Sequence, residues 1–528
     1  MTGLTLSDCL QDTFLRLGKK TAITFLRKGR EATGVSYLQL EQDANRLANT
    51  FLDLGVRKGD RVIFFFDKSL FFVVAHLAAQ KLGAVSVPLN PGFKRSEMAY
   101  LIDDVKARLV LCGPAQETMI KEIDPELKSM VIDPQRPYQD LGFFKKNPSE
   151  IPASIEIRAD DPALIIYTSG TTGKPKGAVL TQRNLLHDAR NVAQIWEITS
   201  SDVLCHALPL FHVHGLCFAL HTALFAGARI VMLDAFSPET VIPALLDKKD
   251  LSCTVFMAVP SMYAKLLASL GDRRLDFSHI RLWTSGSAPL LVKDFERISK
   301  SFGKEPVERE GMSETGMNFS NPLKGKKKPG SIGLPLPGLE VRIVNPATLQ
   351  DVKPGETGEI WLKGPAVTPG YWQKPEETAE AFVDGWFRSG DLGRMDDEGY
   401  YYLTDRLKHL IISGGENISP KEVESVINRF EGVAESSVIG LPDDQWGEKV
   451  AAAVVAKPQS KVKPEDIQQF CKQHLHNWKC PKEVLLVEAL PRNTMGKILK
   501  EELKKLFTEK PARTPHPQKI NKHLDVSI

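Results

Sequence analysis

Seven cysteines in 528 residues are odd in number and scattered, with no C-x-x-C pair. That scarcity argues against a disulfide framework and against a structural zinc site. A reducing cytosol is the expected compartment. Charge of one sign is also missing: 68 Lys+Arg against 65 Asp+Glu leave a formal net charge of +3, which gives no case for nucleic acid as a partner. No long hydrophobic run survives inspection either. The most apolar stretch, 203–233, is broken by His206, Pro209, His212, His214, His221 and Arg229, so it reads as core and pocket wall rather than a membrane span. The first residues show no basic region followed by an apolar core, so no export or transit signal is expected. Internal repeats are absent. What remains is an ordinary globular composition, 42% hydrophobic and 25% charged, over a length that calls for two or more domains. Monomer and homodimer stay equally open.

Alternating patterns then organise the chain. The run Arg61-Val62-Ile63-Phe64-Phe65-Phe66, a helical pattern over 70–82 and the apolar run 84–89 predict a βαβ unit. A helix over about 96–105 and short strands at 108–112, 253–258 and 280–284 continue the theme, so layered, mostly parallel α/β sheets are expected. Past about 330 the texture changes to short strands with glycine and proline turns, which predicts a small β-barrel-like subdomain. A separate α+β block follows, with a strand over 450–456, a helix over about 464–476 and a strand over 484–488. The boundaries expected are 1–407, 408–510, and a tail over 511–528 with little order of its own.

Residues 167–177 read Tyr-Thr-Ser-Gly-Thr-Thr-Gly-Lys-Pro-Lys-Gly, entered from the apolar run Ala163-Leu164-Ile165-Ile166. Gly170, Gly173 and Gly177 permit close backbone approach, so successive N–H groups can converge on anionic oxygens. Thr168, Ser169, Thr171 and Thr172 add hydroxyls, and Lys174 and Lys176 add charge. The loop is suited to polyphosphate. It is not a Walker A loop, because no Gly-Lys-Ser/Thr falls in register.

The run closely resembles the AMP-binding signature of the adenylate-forming superfamily, which includes acyl-CoA synthetases, luciferase and peptide-synthetase adenylation domains. Four further segments resemble that family in its order. The resemblance implies that the loop grips the β- and γ-phosphates of ATP. It also implies that Glu310, Gly311 and Met312 line the nucleotide, that Ser313 contacts phosphate and that Glu314 helps hold Mg²⁺, a hard oxygen ligand for a hard cation. Glu310 stands where the family often has an aromatic, and a carboxylate cannot stack on adenine. Gly286, Ser287 and Ala288 match the segment lining the adenine side. Asp391, read alone as a turn residue, resembles the aspartate that accepts both ribose hydroxyls, and Arg406 the arginine beside it. Lys497 resembles the catalytic lysine that offsets repulsion as a carboxylate attacks the α-phosphate. Lys408 stands at the hinge position, where rotation of the mobile C-terminal domain brings Ser413, Gly414 and Gly415 beside the pantetheine of CoA.

The acid is read from different residues. Leu208-Pro209-Leu210-Phe211-His212-Val213-His214 resembles the acyl-pocket motif, with His212 as gate, and Met317 belongs to the same wall. The segments 280–290 and 313–322 look most like malonyl-CoA synthetases, in which case Arg281 pairs with a second carboxylate. Arg281 facing solvent is the competing reading. The run 216–225 equally suits a tunnel for an alkyl chain, where burial contributes about 0.8 kcal/mol per methylene. The expectation is an AMP-forming acyl-CoA synthetase using ATP, Mg²⁺ and CoA, with Thr168, His212, Glu314 and Lys497 as its catalytic set. A fatty acid stands first and a malonate-like dicarboxylate second; aryl acids remain open. The rival from another class is a nucleotide-binding regulatory protein without chemistry, and a luciferase-like oxidase or carrier-loading enzyme shares the first half-reaction.

Overall fold

The computed structural model describes residues 3–134, 136–142, 155–168, 174–413, 416–492 and 498–508. The chain divides into two compact units, 1–404 and 405–528. The sequence reading puts the boundary at 407/408, three residues later.

Among the described residues, the first unit holds three sheets. One has nine strands, and its centre is parallel in the order Thr21–Arg27, Arg229–Leu233, Val203–His206, Val255–Ala258, Leu282–Ser285 and Val307–Met312. Antiparallel strands close both ends: Arg30–Ser36 at one, Gly316–Ser320 and Leu334–Pro335 at the other. A second sheet of six strands runs in parallel through Ser129–Val131, Leu109–Cys112, Arg61–Phe65, Val85–Pro88 and Pro162–Thr168, and ends in the antiparallel strand Lys176–Thr181. The third is a five-stranded antiparallel sheet built on Glu340–Val344, Gly358–Lys363 and Trp386–Met395, the β-rich texture expected past 330.

Helices cover these sheets in the way their sequences dictate. Leu70–Lys81 starts where Ser69 Oγ accepts from Phe72 N, and every residue from Leu70 to Gln80 is buried. An all-round apolar helix belongs inside the molecule rather than on it. Val292–Phe302 buries only Phe295, Ile298 and Phe302, the i, i+3, i+7 stripe of a helix with one face in water.

The second unit is α+β, as expected. Glu416–Ile418, Ile411–Ser413, Gly447–Ala456 and Val433–Asp443 form an antiparallel sheet, with Glu483–Leu486 parallel to Gly447–Ala456. Pro420–Ile427, Pro464–His474 and Lys500–Thr508 are its helices. Asp405 ties the start of this unit to its first helix: Oδ2 accepts from Ser419 Oγ at 2.7 Å and from Lys421 N at 3.0 Å. No described helix is long and apolar enough to cross a membrane.

Candidate active site

Parallel α/β sheets bind ligands beyond the carboxyl ends of their strands. The motif segments of the first unit gather there. Residues 207–214 follow Val203–His206, Gly286 and Ser287 follow Leu282–Ser285, and Ser313, Glu314 and Thr315 follow Val307–Met312. That last strand runs through the motif itself, so Glu310, Gly311 and Met312 are strand residues and only 313–315 make the turn.

On the phosphate side, Pro162–Thr168 and Lys176–Thr181 are the two arms of a hairpin, with Tyr167 opposite Gly177 and Thr168 opposite Lys176. The segment is therefore flanked by two antiparallel strands, whereas a Walker A segment runs from a strand into a helix. Ser169, Gly170, Thr171, Thr172 and Gly173 lie outside the described residues, as do Gly414, Gly415 and Lys497. The stems show what braces the loop. Thr168 Oγ1 donates to Glu314 Oε1 at 3.3 Å, and Tyr371 OH donates to the same oxygen at 3.2 Å. Lys176 Nζ stands 5.4 Å from the Tyr371 ring centroid, and Lys174 Nζ 5.5 Å from that of Tyr100. Tyr100 OH donates to Pro175 O at 2.9 Å, between the two lysines. Glu314 is buried, with one carboxylate oxygen held by two hydroxyls. Such a fixed hard donor fits a Mg²⁺ that travels with nucleotide phosphates. Tyr371 and Tyr100 were not singled out by sequence, because an isolated tyrosine carries no spacing signal.

On the acyl side, the segment after Val203–His206 turns into a π-helix, His214–His221. Such wide turns concentrate at functional sites. Only glycine fits at 215, since a Cβ there would lie 2.0 Å from Pro209 O. Lys68 Nζ donates to His206 Nδ1 and to His206 O, both at 2.9 Å, which leaves His206 Nε2–H to donate to Gly215 O at 2.8 Å. A buried lysine thus sets a histidine tautomer, and the histidine holds the start of the π-helix. Val213 immediately precedes that helix. His212 Nε2 is buried without a partner among the described residues, and burial pushes this imidazole down to about 4. Ser287, held at φ +67°, brings its Oγ to 3.2 Å from His214 Nδ1.

Behind this cluster stands Arg309. It is 3% exposed, its guanidinium lies 5.1 Å from the Phe218 ring centroid, and Nε, Nη1 and Nη2 have no hydrogen-bond partner among the described residues. A Cβ on Gly286 would lie 2.5 Å from Arg309 Nε, so that glycine admits the arginine. Burial lowers Arg309 to about 10, with Glu310 and Asp188 supplying opposing negative charge. Glu310 Oε2 accepts from Asn318 Nδ2 at 3.0 Å, and Met317 is buried with its N–H donated to Asp188 Oδ1 at 2.9 Å. Sequence reasoning passed over Arg309 because it sits between two glutamates and reads as part of an acidic turn.

Arg281 requires a correction. It stands just before Leu282–Ser285, at the opposite end of that four-residue strand from Gly286, about 16 Å away over five steps at 3.3 Å per residue. Its fork is already committed: Nε and Nη2 donate to Asp202 Oδ1 and Oδ2 at 2.7 and 2.8 Å, Nη1 to Trp196 O at 3.0 Å and Nη2 to Glu197 O at 2.9 Å. It neither waits for a substrate carboxylate nor simply faces solvent. Burial opposes ionisation of Asp202, but the Arg281, Thr199 and Thr254 hydrogen bonds outweigh it and hold the carboxyl below its usual range. Asp391 likewise is not in a turn: it is buried within Trp386–Met395, where its N–H donates to Ser389 Oγ. In the second unit Arg406 N donates to Asp405 Oδ1, Lys408 is in the 3₁₀ turn Leu407–His409, and Ser413 ends a strand.

The family model described as AMP-binding enzyme matches residues 10–372, and that of the AMP-binding enzyme C-terminal domain matches 422–497. The chain belongs to the AMP-binding enzyme family. Within it, the chain is 36% identical to a mitochondrial malonate-CoA ligase of Mus musculus over 86% of this chain and 82% of that protein. It is 34% identical to an oxalate-CoA ligase of Arabidopsis thaliana over 97% and 100%. Among solved structures it is similar to ATP-bound MatB from Rhodopseudomonas palustris, with a TM-score of 0.89 and 36% identity over 96% of this chain and 99% of that one. Other relatives are named for ferulate and for long-chain fatty acids. The protein is an AMP-forming carboxylate-CoA ligase, with ATP and CoA as co-substrates.

Proposed function

We propose that the acid is a short dicarboxylate of the malonate class. ATP and one carboxylate of the acid give an acyl-adenylate and pyrophosphate; the CoA thiol then attacks the acyl carbon and AMP leaves. The observation that carries the choice is the orphaned guanidinium of Arg309 beside Ser287, His214 and Phe218. Glu310 and Asp188 oppose its charge through space, but none of its N–H groups has an acceptor among the described residues, and a hydrogen-bonded carboxylate is the partner that satisfies them. An alkyl chain offers that group nothing. The dicarboxylate therefore moves ahead of the fatty acid. Relatives named for malonate and oxalate support the same order.

Thr168, Lys174, Lys176 and the loop they flank bind the polyphosphate in this reading. Glu314, oriented by the Thr168 and Tyr371 hydroxyls, holds a Mg²⁺ that supplies charge neutralisation of the phosphates. His212 borders the acid as a neutral group, and Lys497 offsets the meeting of two anions. Acid-dependent exchange of pyrophosphate into ATP tests the assignment across malonate, methylmalonate, oxalate, acetate, octanoate, palmitate and benzoate. Malonate or methylmalonate supporting the fastest exchange is the expected result. Octanoate or palmitate exceeding them overturns the choice of acid, and no exchange with any acid overturns the chemistry.

A further inference from the structure

Asp104 borders the phosphate side of the site from the last turn of the helix Arg95–Val105, with a side chain 6% exposed. Its two oxygens are divided between two partners. Oδ2 accepts from Tyr167 OH at 2.6 Å, and Oδ1 pairs with Lys374 Nζ at 2.9 Å. Tyr100, one turn earlier on the same helix, places its OH 3.4 Å from Oδ1 and donates to Pro175 O at 2.9 Å. Burial pushes the Tyr167 phenol up and the Asp104 hydrogen bond adds to it, so this phenol stays protonated and keeps donating.

Glu314 divides itself in a similar way, between Thr168 OH on the same hairpin arm and Tyr371 OH. Neighbouring residues of a strand point to opposite faces, so Tyr167 and Thr168 carry these two bonds on the two sides of one arm. Tyr371 and Lys374, three residues apart, return to the same two carboxylates. The second arm is fastened to this segment through the backbone: Trp372 N donates to Gly177 O at 2.7 Å, and Val179 N to Gly370 O at 3.1 Å. Each carboxylate therefore joins one residue of the arm to one residue of 371–374. Glu314 is the one proposed to take Mg²⁺. Asp104 already has its counter-charge in Lys374, which suits a fixed brace rather than a group that meets a ligand.

We propose that Asp104 is a positioning residue for ATP: by tying Tyr167 to Lys374 it fixes where the hairpin arms present Thr168, Lys174 and Lys176 to the polyphosphate. The inference rests on the reading above that those three residues bind the polyphosphate. Asp104 touches neither the nucleotide nor the acid in this role. It acts through preorganisation, since an arm that is already held spends none of the ATP binding energy on being ordered. The acid side is carried by the strands Val203–His206, Leu282–Ser285 and Val307–Met312, none of which Asp104 bonds. Loss of the brace therefore falls on ATP and spares the acid.

Pyrophosphate exchange and thioester formation from supplied acyl-adenylate, both on the full chain, separate these effects. Asp104→Ala is expected to raise the KM for ATP by about tenfold, the scale of one hydrogen bond to a charged group, while the KM for the acid and the rate of thioester formation stay within about twofold. Asp104→Asn still accepts from Tyr167 but no longer balances Lys374, and is expected to recover part of the loss. Tyr167→Phe and Lys374→Met each remove one partner and leave Asp104 in place. Both are expected to raise the same KM, and Tyr167→Phe to add little on top of Asp104→Ala, because the two share one hydrogen bond. These two variants carry the test where Asp104→Ala does not fold. An unchanged KM for ATP in folded Asp104→Ala, or in both partner variants, overturns the inference. An equal loss across ATP, acid and thioester formation overturns it too, since that marks a residue of the framework alone. Lys174→Ala and Lys176→Ala keep the two readings apart. A KM for ATP raised by the lysine variants and untouched by those of Asp104 sinks the inference only; one that neither set moves sinks the polyphosphate reading with it.

Discussion

Arg309 lies with its guanidinium 5.1 Å from the Phe218 ring centroid and no hydrogen bond to any of its three nitrogens among the described residues. An aromatic face offers about 0.5–2 kcal/mol to such a cation. That falls short of the several kcal/mol its desolvation costs. Glu310 and Asp188 oppose its charge through space without accepting its N–H groups, so the unsatisfied donors are the reason to expect an anion from outside, and they separate this arginine from Arg281, four of whose five N–H donors are used.

Arg281 and Asp202 therefore form a structural fork. Arg281→Ala is expected to leave the order of preferred acids unchanged and to lower stability by about 3 kcal/mol, because Asp202 stays buried after its partner is gone. Denaturant melts and the acid panel on one preparation check both halves. A changed acid preference with unchanged stability would return Arg281 to the acid site.

Tyr371 and Thr168 share Glu314 Oε1. If Glu314 holds Mg²⁺ as proposed, removing the phenol hydroxyl takes away one of the two hydroxyls that fix its carboxylate, and outer partners of metal ligands are worth roughly 10–100-fold in metal affinity. Tyr371→Phe is expected to weaken binding of Mn²⁺, as the spectroscopic substitute for Mg²⁺, by about tenfold in the presence of ATP, read by electron paramagnetic resonance. Unaltered Mn²⁺ affinity in a folded variant would remove Tyr371 from the metal site.

Buried imidazoles make the fold acid-sensitive. Burial holds His76 and His206 down to about 3 and His212 down to about 4, against 6.5 when exposed. Below 6.5 the unfolded chain binds protons that the folded chain refuses, so stability falls as pH drops from 6.5 towards 4. Asp188 and Glu308, both raised to about 7 by burial, have the opposite sign: their contribution is present at low pH and is lost as pH rises to 7. Histidines outnumber them, and thermal unfolding is expected to shift down steadily between pH 6.5 and 4.5. A melting temperature that is flat or rising over that interval contradicts this balance.

Lys497, outside the described residues, is proposed to carry the remaining charge requirement of adenylation. Lys497→Ala is expected to slow pyrophosphate exchange by about 10²–10³-fold, the scale for losing one preorganised charge stabiliser. Thioester formation from supplied acyl-adenylate and CoA is expected to survive. Equal loss in both half-reactions contradicts its assignment to the first step.

Strands and helices of the first unit were legible because their signals are local. The apolar run over 61–66 and the helical pattern over 70–82 appear as Arg61–Phe65 and Leu70–Lys81. The segment 167–177 stood out because hydroxyls, glycines and lysines are concentrated in it. What sequence missed depends on distant pairs. Asp202 lies 79 positions from Arg281 and Tyr371 lies 57 from Glu314, and no periodicity announces either partnership. Arg309 was hidden differently. Its charge is cancelled on paper by Glu308 and Glu310, but Glu308 bonds Gly330 N and Glu310 bonds Asn318, so the neighbours that disguise it do not hydrogen-bond it.

The ratio of kcat/KM for malonate over octanoate, measured by CoA-dependent AMP release in the unaltered protein and in Arg309→Met, tests the central claim most directly. Truncating one partner of a buried charge pair costs about 2–5 kcal/mol, so the account predicts that the malonate term falls by about 10²-fold or more while octanoate holds or improves. A ratio that stays the same in a folded Arg309→Met protein would contradict it.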